Sequence, residues 1–171
     1  MQRVKEVFKS SKQIVNCLIE NVLNTENTSD GSPQAYKRLV ASFSTLHLLS
    51  KIKPENFITH AETLLPYLNI KSTNPNDNQI INSAAKILEC VIPLLQSPSN
   101  SFLISLEESL CKLILNSGMM IVSSCVSCLG TVVNKLTKNF KLGADCFLRF
   151  FKLYNKLKTS LNLGKKISEF S

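Results

Sequence analysis

The sequence predicts an all-α fold in which paired helices repeat along the chain. Apolar residues recur every three or four positions in nearly every segment, a spacing that places them on one face of a helix. No segment shows the sustained alternation of a half-buried strand. The 171 residues include only 5 glycines and 6 prolines, which argues against a turn-rich all-β chain.

An N-terminal helix at residues 1–25 and a polar loop at 26–33 are expected to precede the repeating part. The loop closes with Ser32-Pro33, a helix-cap and first-turn signal. Helical repeats are predicted over 34–162, and a tail over 163–171. The six helices of the repeating part are predicted to begin near Gln34, Glu55, Asp77, Asn100, Met119 and Lys141.

The predicted helices recur with a nearly constant period of about 40–45 residues, which is typical of HEAT or armadillo repeats. Leu46, Leu88 and Leu129 lie at equivalent depths in alternate helices. One hairpin cannot bury its apolar face alone, whereas stacked hairpins share a continuous core. The sequence therefore predicts a HEAT-type α-solenoid of about three helical hairpins plus one N-terminal helix. A compact helical bundle is the competing architecture, because a bundle does not require equal periods.

Two prolines fall inside predicted helices. Pro66 lies in the third helix, which Pro54 opens and which extends to Leu68, and Pro93 lies in the fourth. A proline there removes a backbone hydrogen bond and bends the helix, a change that curved solenoids tolerate.

The net charge of +8 is concentrated at one end of the chain. Residues 135–171 carry +7, whereas residues 1–134 carry +1. This asymmetry indicates an acidic partner, namely DNA, RNA, a membrane surface or an acidic protein. A solvated helix face is the simpler interpretation of the same charges.

The seventh predicted helix carries a basic face with Lys141, Arg149, Lys152 and Lys156. We call this face, together with the two lysines that precede it, Lys135 and Lys138, the basic ridge. Its cations step by three or four residues, as one helical face requires, and are interrupted by Asp145. Such a ridge contacts phosphates by charge and reads no bases. Phe147, Phe151 and Tyr154 form a separate stripe that is interpreted as packing. The residues predicted to contact nucleic acid are Lys135, Lys138, Lys141, Arg149, Lys152 and Lys156.

No catalytic constellation is recognisable, and the chain is predicted not to be an enzyme and to need no cofactor or metal. His47 and His60 fall on different helices, and the sequence has no phosphate-binding glycine-rich loop. The motif Cys125-Val-Ser-Cys128 is interpreted as buried thiols, because neither a redox context nor a second zinc-binding pair accompanies it. A helical enzyme with Cys111 or Cys146 as nucleophile is an alternative that thiol labelling would reveal.

A stretch of 21 residues from Leu113 to Val133 carries no charge and is long enough to cross a bilayer. It contains Asn116-Ser117-Gly118, a helix-stop signal. Two helices that meet at Gly118 are therefore predicted instead, and no membrane partner is expected. The six cysteines have irregular spacing and no signal peptide precedes them, which indicates free thiols in a reducing compartment.

Three stretches resemble the HEAT-repeat body of the Nipped-B-like cohesin loaders, also called adherins. They are residues 39–54 (LVASFSTLHLLSKIKP), 85–95 (AKILECVIPLL) and 124–140 (SCVSCLGTVVNKLTKNF). The similarity covers about residues 36–158, and the last stretch is its most specific part.

The resemblance implies a function that composition does not. Members of this family are nuclear proteins that load cohesin onto chromatin. They contact the SMC heads, the kleisin subunit and DNA, and stimulate cohesin's ATPase while having none of their own. The resemblance thus implies a non-catalytic scaffold for sister chromatid cohesion. No site residue carries over with it, so the basic ridge rests on the residues alone.

The family members are far longer than 171 residues, so the chain is expected to be a fragment, a truncated gene model or a minimal relative. The family's extended N-terminal region, which holds a second loader subunit, has no counterpart here, which argues against that subunit as a partner. The alternative function is a HEAT or armadillo transport adaptor that binds peptides in its concave groove. A row of Asn/Trp pairs would favour that adaptor, and the sequence has no Trp.

Overall fold

The computed structural model describes residues 12–20, 33–71, 73–136, 148–149, 151–152, 155 and 159, and every regular element among them is helical. The prediction of an all-α fold is thus confirmed. Helix α1 covers residues 12–20, and residues 148–149, 151–152, 155 and 159 are also helical. The α-helices that follow α1 are α2 (Pro33–Ile52), α3 (Pro75–Val91), α4 (Asn100–Asn116) and α5 (Met119–Leu136). The 3-10 helices are η1 (Pro54–His60), η2 (Glu62–Asn69) and η3 (Ile92–Leu94).

Side-chain caps fix the start of two α-helices where the sequence predicts a break. The Asn74 side chain accepts hydrogen bonds from the backbone N–H groups of Asn76 (2.9 Å) and Asp77 (3.1 Å), and Asp77 accepts one from the Asn74 N–H (3.0 Å). This reciprocal arrangement satisfies amides that the first helical turn leaves without partners. The Ser99 hydroxyl accepts from the Phe102 N–H (3.2 Å) and begins α4 in the same manner.

The third predicted helix differs from the structure in its backbone. The sequence predicts one α-helix from Pro54 to Leu68, whereas the chain forms η1 and η2, joined at Ala61. Proline lacks the N–H that an α-helix needs and disfavours the α conformation in the residue before it. Pro66 therefore opposes the predicted α-helix, and the chain forms a 3-10 helix there. The fourth predicted helix likewise ends as an α-helix at Val91 and continues as η3 around Pro93. Both interior prolines thus accompany a change of helix type.

Helices α2, α3 and α5 form a first row of parallel helices. Tyr36 on α2 donates to Asp77 on α3, 41 residues later. Ser124 and Ser127 on α5 donate to Asn82 and Glu89 on α3, 42 and 38 residues earlier. Gln79 on α3 also donates to Ser44 on α2. Residue numbers therefore rise together along both pairs of neighbours, as they do in helices that run in the same direction.

A second row contains α1, η1–η2, α4 and the helical residues between 148 and 159. Its neighbours are joined across a similar sequence interval. His60 bonds to Asn16 across 44 residues, and Arg149 donates to Glu107 across 42 residues. Two rows with one shared translation are the arrangement of a HEAT-like solenoid. The predicted architecture is therefore confirmed over the residues that the structure describes.

Residues from both rows form one hydrophobic core. The rings of Phe43 and Tyr67 lie 4.7 Å apart between centroids, tilted by 60°, and contact each other across the rows. The largest fully buried side chains are Tyr67, Phe43, Phe57, Leu46, Leu64, Leu68, Ile80, Ile81, Ile87, Leu88, Ile92 and Leu106.

The uncharged stretch forms two helices, as predicted, with α4 ending at Asn116 and α5 beginning at Met119. Helix α4 packs most extensively against α5. Within the described ranges, α5 is the one helix that is long and apolar enough to cross a membrane, judged by length and composition alone. Its buried residues supply the core instead, and they include Cys125, Cys128 and Leu129.

Candidate nucleic-acid interface

The structure describes three of the six cations of the predicted basic ridge. Lys138, Lys141 and Lys156 lie outside the described residues. The other three, Lys135, Arg149 and Lys152, have three different environments, and these decide how much charge each can offer to a partner.

Lys152 is exposed and is the most available of the three. It lies on the helical part of the second row, close in sequence to Leu148 (58% exposed) and Phe151 (55% exposed). Phe151 was predicted from the sequence to be a packing residue, whereas in the described structure it is exposed to solvent. This surface can contact a phosphate through the ammonium group and an apolar group through the ring.

Lys135 is half-buried in the last turn of α5, and its ammonium donates to the Leu95 carbonyl at 2.7 Å. That carbonyl follows η3, where helix ends leave carbonyl groups without intrahelical partners. A lysine ammonium has three donors, so two others can serve a further acceptor. Lys135 therefore joins α5 to the end of the α3–η3 segment and is only partly free for a phosphate.

Arg149 forms an ion pair with a buried carboxylate. Its Nε donates to Glu107 Oε2 at 2.6 Å, and its Nη2 lies 2.5 Å from the same oxygen. The Glu107 side chain is fully buried, whereas the Arg149 side chain is 32% exposed. A buried carboxylate needs a nearby cation. Much of the Arg149 charge is thus directed at Glu107, a partner that the sequence analysis did not identify.

The Glu107 position did carry a signal in the sequence. It lies next to Leu106 and between the core residues Leu103 and Leu110, so the helical period turns it towards the core. An acidic residue on an apolar face predicts a buried cation nearby, although spacing alone cannot show which residue supplies it.

The histidines and thiols of the described chain do not converge on a reactive centre. His60 bonds to Asn16 (3.1 Å), and His47 lies near the cations Lys51 and Lys86. Burial, with a contribution from those cations, lowers the pKa of His47. Nowhere in the described ranges do three or more His, Cys, Asp or Glu side chains come together in a way that could hold a metal ion.

The thiols of the C-x-x-C motif are buried, as the sequence predicts. Burial raises the pKa of Cys125 to about 12 and raises that of Cys128 as well. Because the thiolate is the reactive form, these two thiols are poor nucleophiles near neutral pH. Cys111 is half-buried, and Cys146 lies outside the described residues.

An open cleft of about 620 Å³ lies between the η1–η2 junction and the connection from α3 to α4. Its lining mixes apolar side chains with hydroxyl groups and contains one ionisable residue, Glu62, which accepts a hydrogen bond from the Ser99 hydroxyl (3.3 Å). The apolar lining includes Ile58 and Leu94, which are 38% and 40% exposed. No sequence pattern predicts this cleft, because two segments that are distant in sequence form it.

The chain has extensive similarity to animal proteins. It is 46% identical to the human Nipped-B-like protein and to its mouse counterpart over 158 residues, which cover 91% of this chain. The chain is homologous to one segment of the Nipped-B proteins. The Drosophila Nipped-B protein is 38% identical over 159 residues, or 93% of the chain. These matches confirm the family resemblance predicted from the sequence. The chain spans only 6% to 7% of the length of these relatives. No protein-family model matches the chain.

Proposed function

We propose that the chain is a non-catalytic HEAT-type segment of a cohesin-loading protein and acts in the nucleus as a scaffold for sister chromatid cohesion. The observation that carries this proposal is the 46% identity to the human Nipped-B-like protein over 158 residues. The two rows of helices support it, because a solenoid offers the extended surface that a scaffold needs.

The partners in this proposal are the cohesin complex, through its SMC heads and kleisin subunit, and DNA. The cohesin part rests on the family resemblance. The DNA part rests on the net charge of +7 over residues 135–171 and on the exposure of Lys152. Contacts of this kind depend on phosphate charge, so binding should be sensitive to salt and tolerant of sequence.

The DNA part is tested by fluorescence anisotropy with a duplex over a series of salt concentrations. Lys152→Gln should make the negative slope of log K against log salt shallower by about 0.9, because the variant neutralises one phosphate fewer. Lys12→Gln is the matched control, because Lys12 is an exposed lysine on α1, far along the chain from the basic ridge. Equal slopes in the two variants would remove Lys152 from the interface. No binding of the unmodified chain at ~50 mM salt would remove DNA as a partner.

The cohesin part is tested by crosslinking the chain to a purified cohesin complex and mapping the crosslinked peptides. We expect crosslinks that concentrate on the SMC heads or the kleisin. A helical-repeat protein of unrelated sequence but equal net charge is the control. Crosslinks no more numerous than those of the control would contradict the proposal.

A further inference from the structure

The connection between α3 and α4 exposes a serine that precedes a proline. Ser97 is exposed and is followed by Pro98. No other serine or threonine within the described ranges precedes a proline. Neither Gln96 nor Ser97 has a hydrogen bond to another described residue. A residue before proline is biased towards an extended backbone, so Ser97 presents its hydroxyl on a two-residue segment that has no hydrogen bond to the rest of the described structure.

A cation is already fixed close to this serine. The Lys135 ammonium donates to the carbonyl of Leu95, two residues before Ser97. Two residues of extended chain span at most about 7 Å, a gap that a lysine and a phosphorylated serine can close with their own side chains. The ammonium keeps two donors for a second acceptor. Helix α4 begins at Asn100, three residues after Ser97, and its N-terminus adds partial positive charge.

The opposite wall of the cleft carries a negative charge, which would repel a phosphate. Glu62 is exposed and lies within hydrogen-bond distance of the Ser99 hydroxyl, at 3.3 Å. A phosphate on Ser97 would be repelled by this carboxylate and attracted by Lys135. Solvent screens an exposed charge more than a half-buried one, so the attraction to Lys135 prevails.

We propose that Ser97 is a phosphorylation site for a proline-directed protein kinase, and that the resulting phosphate pairs with Lys135. The kinase uses ATP as its phosphoryl donor. The bond between the γ-phosphorus and the bridging oxygen of ATP breaks, and a bond forms between that phosphorus and the Ser97 Oγ. The hydroxyl proton passes to the kinase's catalytic base, and ADP leaves.

Phosphorylation is tested on the 171-residue chain carrying Ser32→Ala, since Ser32 is the other serine before a proline. The chain is incubated with ATP and a purified cyclin-dependent kinase, and phosphate is located by mass spectrometry. We expect one phosphate at Ser97 and none there after Ser97→Ala. An unmodified Ser97 overturns the proposal. If a peptide of residues 90–104 is phosphorylated under the same conditions, the folded loop is the barrier; if it is not, the sequence is not a substrate.

The pairing with Lys135 is tested by phosphorus NMR titration of the phosphorylated chain. The second pKa of a phosphoserine is about 6, and a neighbouring ammonium lowers it because it stabilises the dianion. We expect a lower value in the folded chain than in the phosphorylated peptide of residues 90–104. Lys135→Gln should raise the value, whereas Lys86→Gln on α3 should leave it unchanged. Equal values in the folded chain and the peptide would overturn the pairing, even if Lys135→Gln fails to fold.

One consequence of this pairing rests on the proposed function. If Lys135 contacts DNA, phosphorylation of Ser97 should make the negative slope of log K against log salt shallower, because the phosphate competes with DNA for the Lys135 ammonium. The mapping and the titration need no DNA, so a failure of DNA binding leaves both of them interpretable.

Discussion

Two segments of the second row, η1–η2 and α4, hold equivalent positions in the repeat but have different backbones. The two 3-10 helices contain 7 and 8 residues, and α4 contains 17. A 3-10 helix rises about 2.0 Å per residue and an α-helix about 1.5 Å, so the segment with fewer residues reaches at least as far as α4. Both bury apolar residues in the core, for example Leu64 and Leu106. The repeat thus preserves the reach and the apolar face of an element more strictly than its helix type.

The two segments also differ in what stabilises them. Helix α4 has the Ser99 cap and regular i to i−4 hydrogen bonds, whereas neither η1 nor η2 has a side-chain cap. Long 3-10 stretches are intrinsically poor in hydrogen-bond geometry. Tertiary packing, including the buried Phe57, Leu64 and Leu68, therefore contributes most of the stability of the η1–η2 segment.

Exchanging proline between the two segments should give the largest difference. Ser105→Pro, at an exposed position in the middle of α4, should lower the free energy of unfolding by about 3 kcal/mol or more, because it removes a helical hydrogen bond and clashes with the preceding turn. Pro66→Ala, at an exposed position in η2, should change it by about 1 kcal/mol or less. Urea unfolding measures both. Similar losses in the two variants would contradict the contrast drawn between the segments.

The ion pair at α4 should give the next largest effect. Arg149→Met leaves Glu107 buried without this cation, which should cost about 2 to 3 kcal/mol, less than for a fully buried pair because Arg149 is one-third exposed. The double variant Glu107→Leu with Arg149→Met should recover most of that loss in urea unfolding. Glu62→Gln, at the exposed contact between η2 and Ser99, should cost less than about 0.5 kcal/mol. A large effect at Glu62 would reverse the ranking.

Removing the α4 cap should have a smaller effect. Ser99→Ala should cost about 1 kcal/mol in urea unfolding, because the Phe102 N–H loses its acceptor. Asn74→Ala on α3 should cost a similar amount for the same reason. Ser123→Ala, an exposed position within α5, is the control and should leave stability within about 0.5 kcal/mol. A Ser99 variant as stable as the control would show that the α4 start depends on packing, as we infer for η2.

The comparison also shows how much of the fold could be predicted from the sequence. The starts of α3 and α4 could be predicted, because Asn74 and Ser99 are N-cap residues whose side chains bond to amides within three residues along the chain. The helix type around Pro66 could not, since periods of 3.0 and 3.6 both place the buried residues Leu64 and Tyr67 on one side.

The candidate site depended more on contacts between distant parts of the chain. Lys135, Arg149 and Lys152 were all predicted to be available to phosphates, because sequence spacing carries no information about what the neighbouring helices contribute. The structure connects Arg149 to Glu107 and Lys135 to Leu95, each about 40 residues away, and leaves Lys152 exposed.

The smallest expected effect concerns pH and the end of η1. Burial, with a contribution from Lys12, lowers the pKa of His60, which bonds to Asn16. The unfolded chain therefore takes up this proton more readily, and stability should fall as pH decreases through about 6.5. His60→Gln should reduce the difference in unfolding free energy between about pH 7.5 and pH 5.5. His47 should contribute in the same direction, because its pKa is also lowered. A pH dependence unchanged in the double variant of His47 and His60 would contradict this assignment.

The bonds between neighbouring helices of the first row, which join residues 35 to 42 positions apart, limit how this chain can change over evolution. A single-residue insertion in the middle of α3 would rotate everything beyond it by about 100°. It would move either Asn82 or Glu89 away from its serine partner on α5. It would also turn the apolar residues on one side of the insertion away from the core. Length variants among related sequences should consequently cluster in the connections at residues 70–74 and 96–99 and be rare inside the helices. A survey of insertions and deletions in relatives would test that expectation without any new protein being made.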